Sequence, residues 1–254
     1  MTEKIDIHDV PIDNVSMGEA LGAVLDMLKT SEKHMIFTPN AEIIMQANRD
    51  PELKDIFKNA HLVVPDGAGV VLASKILGKN LKEKVSGIDL VKNIFASTAK
   101  KSIGFFIFGG KPGVAEKASI NIVSDHPKAR ICGYRNGYFN DHEIPEIIKQ
   151  INYSKADVLL VGLGAPKQEK WIYHHINELN CKVSMGIGGS IDVFAGTATM
   201  APEFIRNAGL EWLYRFIKEP KRAKRMLDLP RFMLLTYKAK LKKNSTKEDS
   251  THQE

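Results

Sequence analysis

Residues 103–124, IGFFIFGGKPGVAEKASINIVS, decide the fold. Ile103–Phe108 is an apolar run of strand length, Gly109-Gly110 ends it, and Pro112 is the residue type that opens a helix, here Gly113–Ser124. A strand, a glycine turn and an amphipathic stretch form one unit, and the unit recurs. Further strand-type runs stand at His34–Phe37, Leu62–Val64, Arg130–Cys132, Val158–Leu163 and Val183–Ile187. Asn40 caps the run Ala41–Arg49, and Pro166 opens Lys167–Glu178. Strands alternating with helices predict an α/β fold, a Rossmann-like and mostly parallel sheet with helices on both faces. In such a sheet ligands bind beyond the carboxyl ends of the strands, so the residues just after each apolar run are where chemistry is to be sought.

The chain has 254 residues, 43% of them hydrophobic, which suits one to two globular domains and excludes a disordered, collagenous or disulfide-stapled chain. No apolar run approaches the ~18 residues that cross a bilayer, and Met1–Asp6 has no hydrophobic signal region, so a cytoplasmic protein is expected. Cys132 and Cys181 lack any disulfide or zinc spacing and read as small buried residues of a reduced protein. The net charge of +6 is an average over unlike parts. Residues 1–205 carry 23 Lys/Arg and 24 Asp/Glu, whereas 206–243 carry 12 and 3, a net +9. The organisation predicted is a core over 1–201, a basic helical appendage over 202–243 and a disordered tail over 244–254. Within the appendage, Trp212, Phe216, Ile217, Phe232 and Leu234 among others suggest two or three short amphipathic helices interrupted at Pro220 and Pro230. A cationic, aromatic-rich amphipathic segment suits an anionic membrane surface, each Lys or Arg there contributing about 1 kcal/mol. No helix-turn-helix, RNP or zinc-finger pattern supports nucleic acid as the anion instead. A neighbouring subunit in a homo-oligomer is the other partner open to the apolar side of the appendage.

Five junctions carry candidate chemistry. Thr38 and Asn40 follow the first strand and enter a helix, where Asn40 is equally well a plain N-cap. Asp66, in Pro65-Asp66-Gly67-Ala68-Gly69, follows Leu62–Val64 directly and stands at a strand's carboxyl end, a place for a general base, although Asp too is a common N-cap. Gly109 and Gly110, then Gly164, then Gly188, Gly189 and Asp192 mark three strand-to-helix turns whose N–H groups suit a nucleotide diphosphate, or whose glycines serve close packing. None completes a P-loop or a full GxGxxG, so ATP hydrolysis and nicotinamide-dependent redox chemistry are unsupported. Lys111 and Lys167 are phosphate contacts or surface lysines. No Asp-x-Asp occurs in the chain, so the usual carboxylate pair that holds a divalent ion on a nucleotide diphosphate is missing, and no metal or other cofactor is expected. His174 and Glu178 lie one helical turn apart without a third ligand and read as a solvated face.

Taken in order, TPNAEIIMQANRDPELKDIFKNAHLVVPDGAGVVLASK, VSGIDL, FFIFGGKPGVAEKA, VGLGAPKQEKWI, GIGGSIDVFAG and GLEWLYRFIKEPKRAKRMLDLPRF resemble the WecG/TagA/CpsF glycosyltransferases, glycosyltransferase family 26, from about Ile5 to Phe232. The resemblance implies transfer of an N-acetylmannosamine-type sugar from a UDP-sugar donor to a polyprenyl-diphosphate-linked N-acetylglucosamine, on the inner face of the cell membrane. A short, single-unit layout implies the linkage unit of a teichoic acid, with a mannosamine uronic acid or glucose donor for an exopolysaccharide as the alternative. It also implies Asp66 as the base and Thr38, Asn40 and Gln168 as polar residues of the pocket. Arg215, Arg222 and Arg225 follow as appendage contacts to the diphosphate or lipid phosphate. One departure is plain: the family commonly has arginine before its GxDL motif, where this chain has Lys84. Lysine keeps the charge and loses the bidentate fork, which implies a weaker or differently placed leaving-group contact.

The reaction expected is an inverting single displacement, with Asp66 taking the proton of the acceptor's 4-hydroxyl while cationic groups offset the charge that builds on departing UDP. A basic membrane adaptor without activity would account for the charge of the appendage, but not for Asp66 and three glycine turns at strand ends.

Overall fold

The computed structural model describes residues 2–218 and 227–251, with the side chains of residues 207, 215, 218 and 243–251 outside that description. The chain opens with a hairpin, β1 (Lys4–Ile7) and β2 (Val10–Asp13), whose turn residues His8 and Asp9 both take positive φ, 53° and 63°. A six-stranded sheet follows, built from β3 (His34–Phe37), β4 (Leu62–Val63), β5 (Gly104–Gly109), β6 (Arg130–Arg135), β7 (Val158–Gly162) and β8 (Val183–Gly186). Its order is β4-β3-β8-β7-β5-β6 and every pair is parallel, so all six carboxyl ends lie along one edge. The fold class and the strands expected from the apolar runs are borne out, their limits moving by up to three residues.

Because successive side chains on a strand point to opposite faces, each apolar run feeds two cores. Phe106 and Phe108 of β5 face one core, Phe105 and Ile107 the other, and Leu159/Val161 against Val158/Leu160 of β7 divide in the same way. The first core is closed by the hairpin, α2 (Ala41–Ala47), α3 (Pro51–Asn59), α4 (Ala68–Ile76), α7 (Ile144–Tyr153) and α8 (Lys167–His175). The second is closed by α1 (Met17–Met27), α5 (Gly87–Thr98), α6 (Val114–Asp125) and α9 (Ser190–Phe194). Strand β4 lies at the edge of the sheet. The buried Asp13 carboxylate at the end of the hairpin accepts the Val63 N–H at 2.8 Å, covering a backbone group on this edge strand. Cys181 is buried, which pushes its thiol up to about 12, an inert group; Cys132 is only half-buried.

The basic segment forms α10 (Glu203–Asn207), α11 (Glu211–Lys218) and α12 (Asp228–Thr251). Pro230 falls in the first turn of α12, where proline is tolerated, so it opens that helix rather than interrupting it. The backbone helix runs on through residues 244–251, which composition alone reads as a tail. Pro220 lies outside the described residues. α12 packs on α2 and α4, and its Thr236 meets His8 of the hairpin turn. Phe232 is fully buried in the first core. Arg49, just past α2, holds the buried Asp228 carboxylate with two hydrogen bonds of 2.6 and 3.3 Å. Thr236 gives its hydroxyl proton to the Phe232 carbonyl at 2.8 Å, so the His8 Nε2 contact at 2.8 Å makes His8 the donor.

Candidate active site

A cleft opens where the carboxyl ends of β3 and β4 meet the basic segment. Asn40, Asp66, Gly67 and Lys84 line the sheet side, and Arg206, Glu211, Trp212 and Leu229 line the other. Asp66 is held by two backbone contacts. Its own N–H donates to the Pro39 carbonyl at 3.3 Å, and its Oδ2 accepts the Gly87 N–H, also at 3.3 Å, at the first turn of α5. The cap of α4 is Gly67, with φ +95° and no side-chain hydrogen bond, so Asp66 does not serve as the N-cap of the helix that follows it. A β-carbon on Gly87 would lie 2.9 Å from Thr38 Oγ1, so glycine is what lets the start of α5 reach both Thr38 and Asp66. Thr38, Asp66 and the VSGIDL motif therefore converge, although Thr38 is not among the residues lining the cleft. Asn40 does cap its helix, Oδ1 accepting from Ile43 N–H at 3.0 Å, and it also lines the cleft.

The three glycine turns share the same sheet edge, at the ends of β5, β7 and β8, but parts of their backbone are already engaged. The Gly110 N–H donates to the Gly162 carbonyl at 3.0 Å, and a β-carbon on Gly109 would collide with that same carbonyl. The Gly188 N–H donates to Gln168 Oε1 at 2.9 Å. Gly164 supplies the carbonyl that accepts Gln168 N–H, and Asp192 closes the end of α9 by accepting from Thr197. At Gly109 and Gly110, and at Gly188, close packing and turn formation thus account for the glycine. Gln168 itself is buried. Its carbonyl oxygen holds Gly188, and its NH2 donates to Glu169 Oε1 at 2.9 Å. Lys167 lies over the Phe139 ring at 4.2 Å.

Glu169 was not singled out by the sequence. It is buried, and its Oε2 has no hydrogen-bond partner among the described residues. Burial pushes its carboxyl up to about 7, against the opposing pull of the Gln168 hydrogen bond. The folded protein therefore holds this proton more tightly than the unfolded chain does. Its contribution to stability is complete below about pH 4.5 and is lost as pH rises through about 7, a change on the order of 3 kcal/mol. Glu169→Gln should remove that slope. In urea titrations from pH 4.5 to 8 the difference between variant and wild type should shift toward the variant by about that amount, and a difference constant with pH would refute it.

Two ion pairs join the two sides: Lys84 Nζ lies 4.0 Å from Glu211 Oε2, and Arg206 Nη1 lies 3.5 Å from Asp89 Oδ2. Arg206 is a cleft residue that sequence reasoning missed. Arg215 lies on α11 with its side chain outside the described residues, and Arg222 and Arg225 lie outside them altogether. The His174–Glu178 pair does not form: His174 meets Glu52 at 2.7 Å, and Glu178 meets His175 at 2.8 Å. Among the described residues, no three His, Cys, Asp or Glu side chains gather as a metal site. The assembled cleft sets the carboxylates Glu42, Asp66 and Glu211 beside the Asn40 amide, the cations Lys84 and Arg206 and the Trp212 indole, groups of the kind that can take a proton from a hydroxyl and hold a phosphorylated ligand.

Comparison with known proteins places the chain in a family. The model of the "Glycosyl transferase WecG/TagA/CpsF family" matches residues 5–246. A Bacillus subtilis (strain 168) protein is 34% identical over 94% of this chain and 93% of its own length. A Staphylococcus aureus (strain MRSA252) protein is 33% identical over 95% of each chain, and a Bacillus spizizenii protein 34% identical over 80% of this chain and 78% of its own. All three are named N-acetylglucosaminyldiphosphoundecaprenol N-acetyl-beta-D-mannosaminyltransferase.

Proposed function

The chain belongs to the WecG/TagA/CpsF glycosyl transferase family, and from that premise we propose that it moves N-acetylmannosamine from UDP-N-acetylmannosamine to the 4-hydroxyl of N-acetylglucosamine on a polyprenyl diphosphate, as in building a teichoic acid linkage unit. The observation that carries the reading is the Asp66 carboxylate, fixed between two backbone contacts in a cleft that also holds Asn40, Lys84 and Arg206. Asp66 takes the proton of the acceptor hydroxyl as that oxygen attacks the anomeric carbon from the side opposite UDP. The anomeric C–O bond breaks with its electron pair on the departing diphosphate, so the configuration inverts. Lys84 and arginines of the basic segment offset that charge, and the reaction needs no metal. Asn40 orients the sugars. Thr38 supports the start of α5, and Gln168 supports the turn at Gly188 from beneath.

The protein works as a peripheral component of the inner membrane face. No helix among the described residues is long and apolar enough to cross a membrane. On the basic segment, Phe204 is 73% and Ile217 70% exposed, an apolar surface beside a dense cluster of positive charge that suits an anionic lipid layer.

The full chain incubated with a short-chain polyprenyl-diphosphate N-acetylglucosamine and a panel of UDP-sugars tests the reading, with and without EDTA and with anionic or neutral vesicles. Transfer from UDP-N-acetylmannosamine, unaffected by EDTA and accompanied by binding to anionic vesicles alone, is expected. Transfer from a uronic acid or glucose donor instead would reassign the donor. Abolition by EDTA would overturn the metal-free reading, and no transfer from any donor would overturn the activity.

A further inference from the structure

The guanidinium of Arg206 is under-satisfied at a place where an anion fits. Arg206 lies on α10 and lines the cleft together with Asp66 and Lys84. Among the described residues its one ionic contact is long, Nη1 to Asp89 Oδ2 at 3.5 Å. Its Nε is fully shielded from solvent and has no hydrogen-bond partner among those residues. Arginine keeps its charge at any ordinary pH and carries five N–H donors in a rigid planar fork. A closed-in Nε is out of reach of a ligand too, so an incoming anion has to be met by the terminal N–H groups of the fork. The side chain as a whole is 25% exposed, which leaves it reachable from the cleft.

Asp89 explains how such a group is held. It stands in the first turn of α5, two residues after the Gly87 N–H that binds Asp66. The same helix start thus fixes the carboxylate on one wall and reaches the arginine on the other. Lys84, the other cation of the cleft, already faces the Glu211 carboxylate at 4.0 Å, which offsets part of its charge. Lysine also presents a point charge, whereas a diphosphate offers paired oxygens that match a guanidinium fork.

Taking the glycosyl-transfer reading as its basis, we propose that Arg206 binds the diphosphate of the nucleotide-sugar donor and stabilises it as leaving group, with Asp89 as its positioning residue. Arg206 makes up for the fork that lysine lacks at position 84. As the anomeric C–O bond breaks, the electron pair moves onto the terminal phosphate oxygen, and the fork meets that growing charge.

The test combines kinetics with calorimetry on the full chain, using UDP and inorganic diphosphate as probes. Arg206→Ala should weaken binding of both probes at least tenfold. It should also lower kcat by about 10²–10³ while leaving the acceptor KM within about threefold. Arg206→Lys, which keeps charge and stem, should recover only part of each loss and guards against a folding defect in the alanine variant. Asp89→Asn should raise the donor KM and lower kcat without changing the acceptor KM, a split that a purely structural role would not produce. Wild-type diphosphate affinity and turnover in both Arg206 variants would overturn the assignment, as would a wild-type protein that binds neither probe. If wild type binds diphosphate through Arg206 yet transfers no sugar, the diphosphate site stands and the glycosyl-transfer reading falls.

Discussion

Asp66→Asn is expected to lower sugar transfer by about 10²–10⁴ while leaving the fold and UDP affinity unchanged. The substitution is nearly isosteric, and an asparagine oxygen can still accept the Gly87 N–H that now reaches Oδ2 at 3.3 Å. What it removes is the capacity to take a proton. Turnover, UDP calorimetry and a thermal melt on the same preparation separate chemistry from binding and from stability. Near-normal turnover would remove Asp66 as the base, and a lost melt would show that its contact with α5 is structural first.

The second large effect concerns Phe232. Its ring is fully buried in the first core and meets the His8 ring edge-on at 5.2 Å, although it stands in the segment that charge marks as an appendage. Phe232→Ala should cost about 3–5 kcal/mol in a urea titration, because the cavity cannot close from the sheet side. Transfer should fall with it, since Asp228 and Leu229 sit within a turn of Phe232 and bind Arg49 and flank Gly69 respectively. Phe232→Leu should keep most of both. A loss below about 1 kcal/mol in the alanine variant would mean that α12 rests on the core without belonging to it. For the same reason, deleting everything after Ala201 is a poor test of membrane binding, because it opens the core as well.

The sheet was legible because parallel strands covered on both faces are written as unbroken apolar runs such as Phe105–Phe108 and Val158–Val161. The opening hairpin was not. Ile5, Ile7, Val10 and Ile12 alternate as a strand pair should, but the turn is His8-Asp9, two non-glycine residues with positive φ, instead of the Asn-Gly that advertises such a turn. At the site, Asp66 stood out because it stands just past a strand's carboxyl end, three residues after Val63. Arg206 did not, being one of twelve basic residues in its segment, and what singles it out is Asp89, 117 positions away. The glycine turns show a related limit. Spacing shows that an N–H is free of side-chain obstruction, and cannot show that the Gly162 carbonyl or Gln168 already accepts it.

The docking of α12 also sets an order in time. A growing chain makes the hairpin, Asp66 and the whole sheet before it makes α12, which brings Leu229 to the cleft and Phe232 to the first core. Until then the wall of Arg206, Glu211 and Trp212 lacks Leu229, and the first core lacks Phe232. A chain stalled by premature termination before about residue 228 is therefore expected to leave core and cleft unfinished together.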